Sequence, residues 1–386
     1  MSENFPARVR AAFEANMAFG TEVGAAVSVW HEGVEVVRLA GGFRDAARRD
    51  PWTDDTLVLI WSATKGLAAT CVLRSVDEAG LGLDSRMVEL WPEFGAGGKG
   101  QITIGQVLSH AAGLGALRRD GVSILDHAAV AEALAAQEPF GEAFGGLAYG
   151  PRTSGFLMDE IVRRLNEGET LGQYWRRVFG DPLGLDVWIG LPESEEGRVA
   201  TMLAAKSRGD AGDPFSVAFS DAASLTRRAF SSPSGLAMAS LMNQPEARRV
   251  SIPSMGGIGS ATSLAKFYGM LAEDGIFAGR RYASERVIRW MTTRRTQGFD
   301  KVLQTETAFS AGLMMDPLDD RGVKRRELMG PSVSAFGHPG AGGSLAFADP
   351  VNRIGFAYVM NQMEPGVLPG RRAQNLVRAL YGPAEQ

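Results

Sequence analysis

The stretch Leu59–Val76, LIWSATKGLAATCVLRSV, decides the fold. Its second part, Gly66–Val76, is apolar at nearly every position, which predicts a helix buried on nearly all sides. If that helix begins at or just before Ser62, residues three apart lie on one face, and the Ser62 hydroxyl can meet the amine of Lys65. The stretch therefore predicts a buried helix with a hydroxyl and an amine together at its start.

A serine beside a lysine can form a nucleophile and its base. The hydroxyl is a weak nucleophile until a neighbouring group takes its proton, and a lysine can do so only when burial or nearby positive charge lowers its pKa. An apolar helix buries Lys65, and its start directs free backbone N–H groups toward Ser62. The same residues also fit a structural interpretation in which Ser62 only caps the helix.

Composition excludes several classes of function. The chain has 386 residues, with 40 Lys or Arg against 44 Asp or Glu, so no polycationic surface for nucleic acid or an acidic membrane is expected. Cys71 is the only cysteine, and the four histidines lack the spacing of a zinc site, so we expect no disulfide and no metal. The N-terminus has no signal-peptide pattern and no segment is apolar enough to span a membrane, which predicts a cytoplasmic protein.

Hydrophobic periodicity predicts helices and strands in separate parts of the chain. Besides the helix after Ser62, the predicted helices are residues 3–19, 102–110, 128–136, 156–165, 262–271 and 370–380. The predicted strands are residues 24–30, 34–42, 309–315, 334–337, 344–349 and 354–360. No strand is predicted between residues 120 and 205, and residues 206–255 are predicted to be irregular and to border a substrate site.

Strands near both ends of the chain, with helices between them, predict an α+β fold. We expect one antiparallel sheet built from the N- and C-terminal segments, flanked by helices, with an inserted and mostly helical lobe. The chain would form a single catalytic unit over residues 1–386. Residues 1–75 and 256–386 would form the α/β lobe, and residues 76–255 the helical lobe.

A second Ser-x-x-Lys pattern shows that the spacing alone is not specific. Ser263 and Lys266 have the same separation, but they lie in a predicted amphipathic helix whose buried face is marked by the apolar residues that follow. This arrangement predicts that Lys266 meets solvent. Further groups are needed to distinguish the first pair from the second.

Two further segments contain groups that serine acylation needs, namely oxyanion donors and a group that protonates the leaving atom. Tyr149 stands in a loop just before a predicted helix, and the glycines of Gly337–Ser344 would let backbone amides approach a ligand. Each candidate has a structural alternative. Tyr149 could be a buried tyrosine bonded to backbone, His110 a helix-end imidazole bonded to a carbonyl, and Trp61 a core residue. His338 could line the pocket or satisfy a strand edge.

Five motifs, taken in order, resemble those of a known family. They are the Ser-x-x-Lys at the head of an apolar helix, LSHAAGL at Leu108–Leu114, Tyr149 six residues before Gly155, GIGS at Gly257–Ser260, and GHPG at Gly337–Gly340. From about residue 20 to 365 the chain resembles the family VIII carboxylesterases. These belong to the serine β-lactamase-like superfamily, with the class C β-lactamases and the D-Ala-D-Ala carboxypeptidases. The resemblance implies a β-lactamase-like fold.

The resemblance also implies roles for individual residues. Ser62 would be the nucleophile, Lys65 the general base and Tyr149 the group that shares or relays the proton. The oxyanion hole would consist of the backbone N–H groups of Ser62 and Ala341. The residues expected to line the substrate pocket are His338, Gly340 and Trp61.

Two departures from the family pattern bear on the substrate. The Tyr-x-Asn of class C β-lactamases is Tyr149-Gly150-Pro151 here, so the amide side chain that binds the acylamino group of a lactam is missing. His338 stands where β-lactamases carry the lysine of Lys-Thr-Gly, which removes the fixed positive charge that would hold a carboxylate. Both changes favour uncharged esters over lactams and peptides.

The sequence therefore predicts a serine carboxylesterase that hydrolyses short-chain esters through an acyl-enzyme, without a cofactor and with weak β-lactamase activity as a side reaction. Two alternatives stay open. The same Ser-Lys-Tyr site could serve an acyltransferase or an amidase, or the chain could be a non-catalytic ligand-binding protein on this fold. The expected partner is a small ester, not a nucleic acid or a membrane, and the sequence does not indicate an oligomeric state.

Overall fold

Strands from both ends of the chain form one sheet. The structure, a computed structural model, describes residues 4–141, 146–207 and 209–382. Numbered along the chain, the strands are β1 (Gly24–His31), β2 (Val34–Gly42), β3 (Val58–Trp61), β4 (Val187–Ile189), β5 (Gly257–Gly259), β6 (Ile276–Phe277), β7 (Arg280–Arg281), β8 (Thr296–Asp300), β9 (Thr305–Phe309), β10 (Met314–Met315), β11 (Phe336–Pro339), β12 (Leu345–Asp349) and β13 (Ile354–Met360).

The large sheet has eight strands in the order β2-β1-β13-β12-β11-β10-β9-β8, and every neighbouring pair is antiparallel. The two ends of the chain meet where β1 pairs with β13, with Ala25 opposite Met360 and His31 opposite Ile354. β3, β5 and β4 form a separate three-stranded sheet, and β6 and β7 form a short hairpin. The predicted antiparallel sheet from both terminal segments is confirmed.

The helices lie on both faces of the large sheet and in the part of the chain between its N-terminal strands, β1 and β2, and its C-terminal strands, β8–β13. They are α1 (Phe5–Ala18), α2 (Thr64–Glu78), α3 (Met87–Leu90), α4 (Ile104–Leu108), α5 (His127–Ala136), α6 (Thr153–Leu165), α7 (Leu171–Trp175), α8 (Asp181–Leu183), α9 (Pro214–Ser220), α10 (Leu225–Ser231), α11 (Ala239–Met242), α12 (Pro245–Arg249), α13 (Ala261–Ala272), α14 (Glu285–Thr292) and α15 (Arg371–Tyr381). Residues 92–95 and 193–198 form 3₁₀ turns, and residues 176–180 form a π-helical turn.

The large sheet is buried on both faces because different helices cover each one. Successive side chains of a strand point to opposite faces. On β13, Phe356 and Tyr358 pack in the cluster that contains α1 and α15, whereas Ala357 and Val359 pack in the cluster that contains α13. All seven residues of β13 are buried as a result.

Helix α2 lies in the interior, between α6, α7, α14 and β11. Twelve of its fifteen residues are buried, including Lys65. The small sheet delivers the chain to this helix, because β3 ends at Trp61 and α2 begins at Thr64. The buried helix predicted from the apolar run is confirmed, although it begins two residues after Ser62.

Several predictions about secondary structure are wrong. The predicted strand at residues 309–315 is instead the end of β9, a turn at residues 310–313 and the short strand β10, because Gly312, with a φ of 88°, lies in the turn that reverses the chain. Strand β4 lies in the region where no strand is predicted, because its three residues are all buried and too short to show an alternating pattern. Strand β8 was missed because its partly exposed residues have no apolar period. Residues 206–255 are not irregular throughout, since they contain α9–α12. Two of these helices begin after cap residues, Asp213 and Ser224, which are a helix-start signal visible in the sequence. The division into lobes at residues 75 and 255 stays a prediction.

Candidate active site

Ser62 lies in a strained turn between β3 and α2. Trp61, just before it, has a φ of 49°, a left-handed conformation that is unusual for a bulky residue. The Thr64 hydroxyl donates to the Trp61 carbonyl at 2.5 Å and accepts the Gly257 N–H at 2.8 Å. Strain of this kind persists only where surrounding contacts hold it. Thr64 therefore fixes the turn that presents Ser62, a role that no pattern in the sequence indicates.

Lys65 Nζ has three hydrogen-bond partners and almost no contact with solvent. The side chain is 1% exposed, and Nζ lies 3.2 Å from Ser62 Oγ, 3.0 Å from the Pro151 carbonyl and 2.7 Å from the Ser254 carbonyl. Burial lowers the pKa of Lys65 well below its ordinary value of 10.5. The predicted contact between Ser62 and Lys65 is present, whereas no sequence signal identifies the two carbonyls, because any residue can supply one.

Tyr149 lies beside this pair. Its ring is 4.9 Å from Lys65 Nζ and packs against the rings of His110, Phe309 and His338 at centroid distances of 4.9, 6.1 and 5.9 Å. Burial raises the pKa of Tyr149, and a hydrogen bond with Ser62 partly opposes that shift. The phenol is therefore protonated at neutral pH.

The turn after β11 lies directly against the turn that carries Ser62. A Cβ atom on Gly340 would lie 2.2 Å from the Ile60 carbonyl oxygen, so only glycine allows this approach. The Ser344 hydroxyl donates to the same carbonyl at 3.0 Å. The backbone N–H groups of Ser62 and Ala341 have no acceptor among the residues that the structure describes. Both are therefore available to a ligand.

His338 is buried within the site, with 1% of its surface exposed. Its Nδ1 lies 2.7 Å from the Pro339 carbonyl oxygen, which can only accept, so the ring proton is on Nδ1. Nε2 is buried and has no partner within the described part of the chain. Burial, and the charge of Lys65 whenever that amine is protonated, lower the pKa of His338 well below 6.5, so this residue carries no fixed charge.

The remaining predicted residues have mixed outcomes. Trp61 is 8% exposed and belongs to the hydrophobic core, as its structural alternative expects. Among the described residues the His110 ring has no carbonyl partner. Its Nδ1 accepts the Gly150 N–H at 3.2 Å instead, its ring packs on Tyr149, and its backbone is left-handed with a φ of 59°.

A groove of about 1090 Å³ lies between α9, the β8–β9 turn and the loop after β13. Apolar lining is supplied by Phe215, Phe219, Leu303 and Leu368, whereas Ser62, Lys65 and Tyr149 do not line it. Two contacts link the groove to the segment after Tyr149. Arg152 donates to the Phe230 carbonyl at 3.3 Å, and the Phe230 ring packs on Phe215, which lines the groove, at a centroid distance of 5.3 Å. That residues 206–255 border a substrate site stays a prediction.

In residues 4–141, 146–207 and 209–382, which the structure describes, no group of three His, Cys, Asp or Glu side chains is placed to hold a metal ion. None of the helices in the same ranges has the length and apolar composition needed to cross a membrane.

Comparison with known proteins identifies the family. The chain matches the family described as Beta-lactamase over residues 9–380. It is 31% identical over 353 residues to the esterase/beta-lactamase LipL of Mycobacterium tuberculosis, and the match covers 88% of this chain and 77% of LipL.

Two solved structures are similar over almost the whole chain. A family VIII carboxylesterase is 35% identical with a TM-score of 0.87, covering 99% of this chain and 98% of that one. A penicillin-binding protein homologue from Caulobacter crescentus is 38% identical with a TM-score of 0.85, covering 98% of this chain and 97% of that one. The chain therefore belongs to the beta-lactamase family and is a serine hydrolase, with the fold that its resemblance to the family VIII carboxylesterases implies.

Proposed function

We propose that the chain is a carboxylesterase that hydrolyses short-chain esters through an acyl-enzyme on Ser62. The observation that carries this proposal is the hydrogen bonding of Lys65. A neutral amine has two N–H donors and one lone pair. The Pro151 and Ser254 carbonyls can only accept, so they take the two donors and leave the lone pair for the proton of Ser62 Oγ. The lowered pKa of Lys65 supports the neutral form.

Acylation then follows from the positions of these groups. Lys65 Nζ takes the Ser62 proton while Oγ attacks the ester carbonyl carbon, and the negative oxygen that forms is stabilised by the N–H groups of Ser62 and Ala341. Tyr149 is protonated, so it can donate its proton to the leaving alkoxide oxygen and regain one from the Lys65 ammonium. Water then attacks the acyl-enzyme by the reverse order of proton transfers, which releases the acid and restores Ser62.

The neutral His338 favours uncharged esters as substrates. A carboxylate would need a positive partner in the buried position that His338 occupies, and the imidazole offers none there. The names of the relatives support ester chemistry, since one is an esterase/beta-lactamase and another a family VIII carboxylesterase. A slow reaction with β-lactams remains part of the proposal, because acylation of Ser62 uses the same groups.

The proposal is tested by intact-mass detection of an acyl adduct, with turnover measured on p-nitrophenyl esters from acetate to decanoate, matching amides and β-lactams. We expect an adduct on the wild type, and fastest turnover for the short esters. Ser62→Ala should lose ester turnover by roughly 10³- to 10⁶-fold. Ser263→Ala is the matched control and should retain it. Near-wild-type turnover by Ser62→Ala, or a wild type that neither turns over nor is acylated, would overturn the proposal.

A further inference from the structure

Three consecutive backbone amides around Tyr149 are bound by only two other residues. The N–H groups of Ala148 and Gly150 donate to His110, to its carbonyl at 3.1 Å and to its Nδ1 at 3.2 Å. Between them, the Tyr149 N–H donates to Asp300 Oδ1 at 3.1 Å. Tyr149 lies in neither a helix nor a strand, so these bonds replace the regular backbone pairing that would otherwise fix it.

Asp300 is a fully buried carboxylate, 0% exposed, with no cationic partner within the described part of the chain. Besides the Tyr149 amide, its Oδ1 accepts the N–H groups of Val302 at 2.9 Å and Leu303 at 3.0 Å, and its Oδ2 accepts the Thr307 hydroxyl at 3.2 Å. Burying a carboxylate is costly unless hydrogen bonds satisfy it. One carboxylate therefore organises the β8–β9 turn and also reaches the backbone of Tyr149.

His110 accepts the Gly150 N–H through Nδ1, which is possible only when the imidazole is neutral. Burial, and the charge of Lys65 whenever that amine is protonated, lower its pKa to about 3, so Nδ1 keeps the lone pair that accepts the Gly150 N–H. The ring also packs on Tyr149 and, with a centroid distance of 4.6 Å, on Phe309. The backbone of Tyr149 and one face of its ring are thus held by the same residue.

We propose that Asp300 and His110 are positioning residues that hold the Tyr149 hydroxyl at Ser62, through the amides of residues 148–150. The inference rests on the proposed function, in which that hydroxyl passes a proton to the leaving group. A small displacement of a reacting group can lower a rate by about 100-fold. Both residues act through Tyr149, so their contribution to the rate disappears when the hydroxyl is absent.

A double-mutant cycle tests this dependence. Asp300→Ala should lower kcat by about 10- to 100-fold, with KM changed by less than about threefold, and Asp300→Asn, which keeps an Oδ1 acceptor, should recover most of the loss. In the Tyr149→Phe background, Asp300→Ala should cause no further loss. His110→Ala and His110→Asn repeat the test at the second residue, since an Asn Oδ1 can replace Nδ1 as acceptor, so the result does not depend on one variant folding.

Asp349 provides the matched control. It is also 0% exposed and accepts the amides of the residues two and three positions ahead, Val351 at 3.1 Å and Asn352 at 3.3 Å, but among the described residues it has no hydrogen bond to Ala148, Tyr149 or Gly150. Asp349→Ala should lower the melting temperature and leave kcat unchanged.

Two results would overturn the inference. One is that Asp300→Ala and His110→Ala retain wild-type kcat. The other is that they lower kcat by the same factor with and without the Tyr149 hydroxyl. Either result leaves the proposed function intact as long as Ser62→Ala is inactive, whereas an active Ser62→Ala variant overturns the proposed function itself.

Discussion

The Ser62–Lys65 pair and the Ser263–Lys266 pair have the same spacing, but only in the first do the two side chains meet. Ser263 Oγ accepts the Asp186 N–H at 2.9 Å, and Lys266 Nζ donates to the Leu183 carbonyl at 2.7 Å. The prediction that Lys266 meets solvent holds only in part. This residue is half-buried, because its amine lies 4.8 Å from the Phe277 ring centre and bonds a neighbouring loop.

The difference between the pairs does not come from the lysine pKa alone. Burial lowers the pKa of both amines, although much further for Lys65. The backbone N–H groups of the two serines distinguish the pairs more clearly. The Ser263 N–H lies inside α13 and donates to the Ser260 cap at 3.2 Å, whereas the Ser62 N–H precedes α2 and has no acceptor in the described ranges. Spacing places two side chains on one face, but a nucleophile also needs a free amide and a base whose other donors are occupied.

Replacing each lysine should give the largest contrast between the pairs. Lys65→Met removes the proton acceptor and should lower kcat/KM by about 10³-fold or more, whereas Lys266→Met should change it by less than about twofold. Steady-state kinetics on a p-nitrophenyl ester measures both. Thermal unfolding should accompany it, because Lys65→Met also leaves two buried carbonyls without a donor. Equal losses of kcat/KM in the two variants would contradict the assignment of Lys65, and not Lys266, as the proton acceptor.

The pH dependence should follow Lys65 and not Lys266. The ammonium form of Lys65 has no lone pair, so kcat/KM should fall about tenfold per pH unit as pH drops below the lowered pKa of this residue. The raised pKa of Tyr149 keeps the phenol protonated, so its ionisation should cause no alkaline loss near neutral pH. Profiles of the wild type and of Lys266→Met should coincide. An acid limb that shifts in Lys266→Met would contradict the assignment.

The smallest expected effect is on the free energy of unfolding, at the contact between α2 and α13, the helices that carry the two lysines. A Cβ atom on Gly66 of α2 would lie 1.9 Å from the hydroxyl oxygen of Tyr268 in α13. Gly66→Ala should therefore destabilise the fold by about 1–3 kcal/mol, measured by chemical denaturation. Tyr268→Phe removes that oxygen, which has no hydrogen-bond partner among the described residues, and should recover part of the loss in the double variant. If the double variant is no more stable than Gly66→Ala alone, the overpacking explanation is wrong.

Patterns of residue type were enough to predict an antiparallel sheet from both terminal segments, although not its edge strand β8, as well as helix α2 and the Ser62–Lys65 contact. Long apolar or alternating runs give these elements a strong signal. The three-residue strands β4 and β5 give almost none, so the small sheet that fixes Ser62 was not predicted. The same limit applies to Asp300, whose partner at Tyr149 is a backbone amide 151 residues away, and any residue except proline carries such a group.

The bond between Ser344 and the Ile60 carbonyl joins positions 284 residues apart. During synthesis Ser62 is therefore made well before the Ala341 amide and the strands that hold it. Domains generally fold as units. If Ser62 and Ala341 supply the oxyanion hole as proposed, a partly synthesised chain carries Ser62 and Lys65 without the second donor, and we expect hydrolytic activity only once β13 has joined the sheet beside β1.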